Sequence, residues 1–551
     1  MQAYSGLHGI QKLIIMNKSV IILAAGDISS KLHYLNFNCG SPALIPLNTR
    51  PLATYIIDFY LQQKDTDIIL VISEEFTDVV SSELMYYKDR ISILPVSKTR
   101  NVNDSLNAAI AAVSLNETVI VNVVTTIPVY FPAKNNVLVG NSDDILINCS
   151  YINTSTNPVR FFHKTEKQKP SGSKPFQGVF CVDRQSLIEA AQANSTDTDL
   201  LSIVKHIYSR TALDFIETDW IDCGHEANYY EARQSLISCR GFNNIRIDSS
   251  GILQKKSSNN KKLIDEINFI ENLPENLKVF FPRIFEKPSE ENNFSSCKME
   301  YYAYPSVSEL FLYWDISDSS WRKLFKKLDL VLEIFSGYHC EISHTAFLDF
   351  YQNKVIERIS RFASQSSYNR KLTEETIVVN GFRCLPIKEL AEKYSKTLDK
   401  VYDRNSFAVM HGDFCFNNIL FDYSSGLIKL IDARGSFGNG HAGIFGDPLY
   451  DIAKLAHSAL GGYDYFVNNL YQIAKHNNGF TISFLKRKCA PIVEYLCNDL
   501  IEKKGYDKTI VDLIVSTLFL SMPPLHSDNE DRQTAMYLHG LYLFNTSLAK
   551  L

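Results

Sequence analysis

The sequence predicts an α/β protein in two parts, a Rossmann-like and mostly parallel sheet followed by an α+β body. Three observations carry this reading. From Val20 to about Arg240, short β-branched runs alternate with helix-like stretches, the pattern of a parallel sheet covered by helices on both faces. Around Lys255–Lys262 an asparagine- and lysine-rich stretch marks a change of pattern, after which a few strands give way to long helical runs. At 551 residues the chain is also too long for one ordinary core.

In chain order, VIILAAG, DIILVIS, ISILPV, TVIVNVV and DILINCS read as strands, some continuous enough to be buried on both faces. PLATYIIDFYLQQ and DSLNAAIAAVSL lie between them with helical periodicity. In the second part, IRIDSSGILQKKSSNNKKLIDEINFIENLP reads as a hairpin and a helix, and CKMEYY with SVSELFLY as a strand and a helix. NLYQIAKH and ISFLKRKCAPIVEYLCNDLI read as helical. Residues 1–15, ahead of Met16, read as an N-terminal extension without the features of a secretory signal.

Hydrophobic residues make up 45% and charged residues 21%, the balance of a globular protein, and the net charge of -5 gives no basic excess for nucleic acid. No apolar run reaches membrane-spanning length. The 11 cysteines form no C-x-x-C pair, which points away from a zinc site or a disulfide framework and towards reduced thiols in a cytoplasmic protein.

The chemistry concentrates in Ala408–Asp422, AVMHGDFCFNNILFD, and in Asp432 beyond it. An apolar run leads into His411-Gly412-Asp413, another follows Asn418, and Leu427–Ile431 delivers Asp432. That is a strand, a loop with Asp and Asn, and a hairpin ending in Asp. Phosphoryl transfer from ATP needs such a set: a carboxylate to orient or deprotonate the hydroxyl, an amide and a second carboxylate to hold magnesium. The Asp413-to-Asn418 spacing is that of the protein-kinase catalytic loop, with Asp432 where the metal-binding Asp stands.

The H-G-D-x-x-x-x-N…I-D form resembles the aminoglycoside phosphotransferase and choline kinase family, as does Gly446-Asp447-Pro448-Leu449-Tyr450-Asp451. The resemblance implies a two-lobed kinase-like fold, with an N-lobe over 241–310 and a helical C-lobe over 311–551. It implies ATP and Mg²⁺ as cofactors, Asp413 as the catalytic residue, and Asn418 and Asp432 as metal ligands. Asp447 and Asp451 would buttress the loop and cap a helix. A strand lysine paired with a helix glutamate would hold the phosphates; Lys256 with Glu266 fits, and Lys255 competes because alternation turns only one inward. Glu300 would lie nearest the base. Arg434 would bind an anionic acceptor or pair with Asp447 or Asp451, and His441 and His526 are weaker substrate candidates. Cys415 reads as a packing residue.

The first part, 16–240, resembles the sugar-phosphate nucleotidyltransferases. VIILAAG, Pro42–Leu52 and Trp220-Ile221-Asp222-Cys223-Gly224-His225 stand in the order of that family's landmarks, and Gln177–Phe180 is similar to its sugar-covering strand. The resemblance implies that the backbone at Ala24, Ala25 and Gly26 wraps the phosphates of a second nucleotide such as CTP or UTP, and that Asp222 binds magnesium. The sequence departs from the pattern: only Lys31 replaces the signature Arg, Ala43 the lysine, and Thr125 or a neighbour the first magnesium Asp. Asp104 or Asp143–Asp144 could stand in.

Together these imply a small-molecule kinase acting on a sugar, polyol or amino alcohol hydroxyl, fused to a unit that activates or only binds the product. Such pairs resemble enzymes making nucleotide-activated precursors of capsule and lipopolysaccharide. The implied partners are a hydroxyl substrate and a nucleotide, not nucleic acid. The other reading is a nucleotide- or sugar-binding regulator or scaffold with an inactive transferase unit.

Overall fold

Three buried β-branched runs and a less buried strand at the end of the order make the parallel part of the first sheet. Strands β1 (Lys18–Ala24), β2 (Thr66–Ser73), β3 (Ile91–Val96) and β4 (Thr118–Val123) lie parallel in the order β4-β1-β2-β3. Val20–Leu23 are buried on successive, opposite faces, which is why this run is continuously apolar rather than alternating. Beyond β4 come β5 (Asn136–Gly140), β6 (Lys174–Asp183) and β7 (Asp214–Thr218); β6 runs antiparallel to β4 and β5, and β7 parallel to β5. The computed structural model describes residues 18–27, 40–97, 99, 101–141, 149–164, 171–194, 199–236, 243–248, 250–258, 260–287, 295–438, 442–477 and 479–551. Most of the expected strand DILINCS lies outside them.

Helices make the crossovers. Helix α1 (Leu52–Leu61) joins β1 to β2, and α2 (Val102–Ala112), capped by the Asn101 side chain, joins β3 to β4. On α1 the fully buried Tyr60 donates its hydroxyl hydrogen to Asn122 Oδ1 at 2.8 Å, while Asn122 Nδ2 donates to the carbonyls of Val123 and Thr126. This polar knot fixes the end of β4.

The chain divides into two compact units between Ala232 and Arg233. The boundary expected at 240/241 falls in 237–242, outside the described residues.

In the second unit, β8 (Asn243–Ile247), β9 (Ile252–Ser257), β10 (Ile284–Glu286) and β11 (Ser295–Glu300) form an antiparallel sheet in the order β8-β9-β11-β10. Helix α3 (Asn260–Asn272) packs on it through Leu263 and Ile267 against Cys297, Met299 and Leu253. A helical body follows, with α4 (Lys354–Ala363), α5 (Pro448–Ala459), α6 (Lys508–Ser521) and α7 (Glu530–Lys550) among its elements. Into it is set the hairpin β12 (Ile419–Asp422) and β13 (Leu427–Leu430). Among the described residues no helix is long and apolar enough to cross a membrane.

One element differs from expectation. NLYQIAKH is not helical: Tyr471–His476 forms β14, paired antiparallel with β15 (Gly479–Phe484). The turn formers Asn477, Asn478 and Gly479 interrupt the chain, and ladder pairing with β15 outweighs the weak helical pattern of so short a run. Helix begins only at Ala490, so the start of ISFLKRKCAPIVEYLCNDLI is also strand.

Tyr60→Phe would leave the buried Asn122 oxygen without its donor, and is expected to lower stability by about 1–3 kcal/mol. Urea melts of the variant and wild type check this.

Candidate active site

Strand alternation decides which lysine enters the site. On β9, Leu253 packs against α3, so Lys255, two residues on, points the same way and is buried, while Lys256 is exposed. Lys255 Nζ lies 3.0 and 2.7 Å from the carboxylate oxygens of Glu266 and 2.5 Å from Asp432 Oδ1. The expected pairing of Lys256 with Glu266 is therefore corrected to Lys255. Burial works against the Lys255 charge, but Glu266 and Asp432 outweigh it and raise its pKa. Burial would likewise raise Asp432, yet Lys255 beside it holds the carboxyl below its ordinary value.

The loop carrying Asp413 is fixed through its backbone. The N–H groups of His411 and Gly412 donate to the two oxygens of Asp451, at 2.7 and 2.8 Å. Burial still pushes the Asp451 carboxyl up to about 7, against the pull of those two bonds. Asp447 caps α5, accepting from the N–H of Leu449 at 3.0 Å and from the Tyr351 hydroxyl at 2.9 Å. Arg434 N–H donates to His411 O and Ile431 N–H to Asn418 O, which ties the end of β13 to the loop. Gly412 has φ 77°, and a Cβ there would come within 2.7 Å of Arg434 Cβ; at Gly435, with φ 68°, it would meet the Asp265 carbonyl oxygen at 2.1 Å. Only glycine fits these two crossings.

Asn418 Nδ2 donates to the Asp413 carbonyl at 2.9 Å and to Asp413 Oδ2 at 3.0 Å, and Lys454 Nζ lies 2.8 Å from Asp413 Oδ1. Because the Asn418 nitrogen is committed to Asp413, its amide oxygen points elsewhere. That oxygen and the Asp432 carboxylate are hard donors of the kind magnesium takes one or two at a time, completing its shell with phosphate and water. Among the described residues no group of three or more His, Cys, Asp or Glu has metal-holding geometry.

Asp413 and Asp432 line a cleft of about 780 Å³ together with Lys354, Arg434, Tyr450 and Lys454. Burial would raise the Tyr450 pKa, but Arg434, Lys354 and Lys454 bring the phenol down to about 7. Burial and the neighbouring Arg434 lower Lys354 to about 8. Of these residues, the sequence reading missed Lys354, Tyr450 and Lys454. Lys454 had a signal, since it lies one turn beyond Asp451 on α5. Lys354 had none; it follows a π-helical turn, Asp349–Asn353, that no sequence pattern marked.

Glu300 ends β11 and accepts from the Tyr302 hydroxyl at 2.5 Å; like Lys255, Glu266 and Asn418, it is not among the residues that line the cleft. Burial would raise its carboxyl, but the Tyr302 bond and the Arg283 N–H hold it down. His526 does not line the cleft either, and His441 lies outside the described residues. Cys415 is buried, and burial pushes its thiol up.

In the first unit, Ala24 and Ala25 are buried at the end of β1 and Gly26 is exposed; Lys31 and Asp143–Asp144 lie outside the described residues. Ala43 is buried in a short turn and Asp104 lies in the first turn of α2. Asp222 is buried, with Oδ1 accepting from Gly224 N–H at 2.8 Å and Oδ2 facing His225 Nδ1 at 2.5 Å and Asn228 Nδ2 at 2.7 Å. Cys223 N–H donates to Thr125 O, so Thr125 stands beside Asp222.

No known family's sequence profile matches the chain, and no curated protein does. Among solved structures, a putative glucose-1-phosphate thymidylyltransferase from Bacillus anthracis is similar at 17% identity and TM-score 0.34, over 40% of this chain and 96% of that one. An inositol-1-phosphate CTP transferase from T. maritima is similar at 15% identity and TM-score 0.33, over 41% and 99%. A thermostable mutant of the aminoglycoside phosphotransferase APH(4)-Ia is similar at 12% identity and TM-score 0.34, over 56% and 93%. The similar structures thus include both nucleotidyltransferases and an aminoglycoside phosphotransferase. The fold class stands on the topology itself: an α/β unit with a mostly parallel core, then an α+β unit with a four-stranded sheet and a helical body.

The cation cluster makes a spectroscopic prediction. Of the 29 tyrosines, one is expected to ionise near pH 7 in near-ultraviolet difference absorbance, and Tyr450→Phe should remove that step. A first phenolate only near the ordinary value of about 10 would contradict the arrangement.

Proposed function

We propose that the second unit transfers the γ-phosphoryl group of ATP to a hydroxyl of a small molecule. The observation that carries this is Lys255 held between Glu266 and Asp432, beside a loop that presents Asp413 and Asn418. Lys255 would steady the ATP phosphates, with Glu266 fixing its position. Asn418 and Asp432 would hold Mg²⁺, which when bound neutralises charge on the phosphates. Asp413, oriented by Asn418 and Lys454, would accept the proton of the attacking hydroxyl. Asp451 and Asp447 act as positioning residues, because they hold the loop and helix rather than reach the cleft chemistry.

For the first unit we propose binding of a nucleotide or sugar phosphate. Both oxygens of Asp222 have partners within the chain, and Thr125 stands where a carboxylate would be needed, which supports binding over turnover. If the first unit does turn over, the two units would supply a nucleotide-activated precursor for surface polysaccharide. If neither does, the protein is a nucleotide-sensing scaffold.

The test is ADP release by the full chain with Mg²⁺ and ATP against sugars, polyols, amino alcohols and their phosphate esters. Asp413→Ala is expected to lower acceptor-dependent kcat by about 10²–10⁴-fold while ATP binding persists. Near-normal turnover in that variant would sink the assignment.

A further inference from the structure

The cleft beside Asp413 gathers cations around the Tyr450 phenol, with Asp413 and Asp451 also acting on Arg434. The Arg434 guanidinium carbon lies 5.1 Å from the Tyr450 ring centroid and 5.3 Å from that of Phe350. Lys354 Nζ lies 4.8 Å from the Phe350 centroid and 5.6 Å from that of Tyr450. Lys454 completes the group, 6.0 Å from the Tyr450 centroid, but its charge is met by Asp413 at 2.8 Å. The nearby acids are committed elsewhere: Asp451 to the amides of His411 and Gly412, and Asp447 to Leu449 and Tyr351. Among the described residues neither Arg434 nor Lys354 forms an ion pair with a carboxylate, although Asp265, Asp349 and Glu357 also line the cleft.

We infer that the acceptor is itself a phosphate monoester, held through that phosphate by Arg434 and Lys354 while its free hydroxyl faces Asp413. This rests on the phosphotransferase reading and narrows its substrate class. Charge supports it: Arg434 and Lys354 form no ion pair with a carboxylate, Asp413 and Asp451 acting on Arg434 without one, and a phosphate monoester carries about -1.5 to -2 near neutral pH. A neutral sugar or polyol would leave both cations without an ion-pair partner. An amino alcohol would add a further positive charge to the cluster. The Phe350 and Tyr450 rings meet edge to face, 70° apart, beside the Arg434 guanidinium, whose fork of donors suits bidentate contact with phosphate. In the reaction the acceptor oxygen bonds to the γ-phosphorus of ATP, the bond from that phosphorus to the β,γ-bridging oxygen breaks, and the hydroxyl proton passes to Asp413. ADP and a bisphosphorylated product leave.

The experiment uses the full chain with Mg²⁺ and ATP, and compares sugar and polyol monophosphates with the parent alcohols, amino alcohols and hydroxycarboxylates. Turnover is expected with the monophosphates and not with their parents. Lys354→Met and Arg434→Gln should each raise the acceptor KM roughly tenfold to a hundredfold, with the KM for ATP largely unchanged. Inorganic phosphate should compete with the acceptor and not with ATP in the wild type, a readout that needs no variant to fold. Preference for neutral alcohols, amino alcohols or hydroxycarboxylates would overturn the inference and leave the phosphotransferase reading standing. If no acceptor is turned over, calorimetric titration with inorganic phosphate decides. Binding lost in both variants, with their melting temperatures retained, would support the anion site and count against the kinase. No binding would overturn the inference.

Discussion

Everything in the second unit that bears on chemistry depends on one buried lysine held between two carboxylates. Lys255 comes from the sheet, Glu266 from the helix packed on it and Asp432 from the end of a hairpin in the helical body. The three meet only if those elements are in register. Ion pairs this buried add little net stability, because desolvation offsets their attraction, but removing one partner costs about 3–5 kcal/mol. Their value lies in placement: the cation is fixed where phosphate oxygens would come, and it is held charged by its neighbours. Glu266 would therefore act on the site through Lys255, and Asp432 both through Lys255 and directly.

A second constraint supports the first. Asp451 binds two successive amides of the His411-Gly412-Asp413 turn, and Gly412 and Gly435 permit backbone approaches that a side chain would block. The loop carrying Asp413 and the segment after Asp432 are held together by these contacts. Asp432 itself sits at φ 57°, an uncommon conformation for a non-glycine residue that the surrounding bonds maintain. The first unit shows the contrary arrangement. Both oxygens of its Asp222 have partners within the chain, and Thr125 stands beside it.

Much of this was legible in the sequence, and what was not has physical reasons. The parallel core showed because strands buried on both faces must be continuously apolar, as Val20–Leu23 are. Asp413, Asn418 and Asp432 showed because the loop and hairpin that position them are contiguous in the chain. The choice between Lys255 and Lys256 was not readable. Each face of β9 opens with an apolar residue, Ile252 or Leu253, so alternation alone leaves the phase undecided until α3 packs on one side. Tyr450 and Lys354 could not be paired from sequence either, since their contact is made by tertiary packing of α5 against the start of α4. The strand Tyr471–His476 was misread because its stability comes from a partner strand and not from its own pattern.

The most direct test of the central claim is ATP affinity, measured by titration calorimetry with Mg²⁺ on wild type, Lys255→Met and Lys256→Met, with circular dichroism to confirm folding. Lys255→Met is expected to weaken binding by roughly tenfold or more, the loss of a charge-assisted contact, while Lys256→Met should bind as wild type does. Equal affinity in all three proteins, or a loss confined to Lys256→Met, would contradict the site described here.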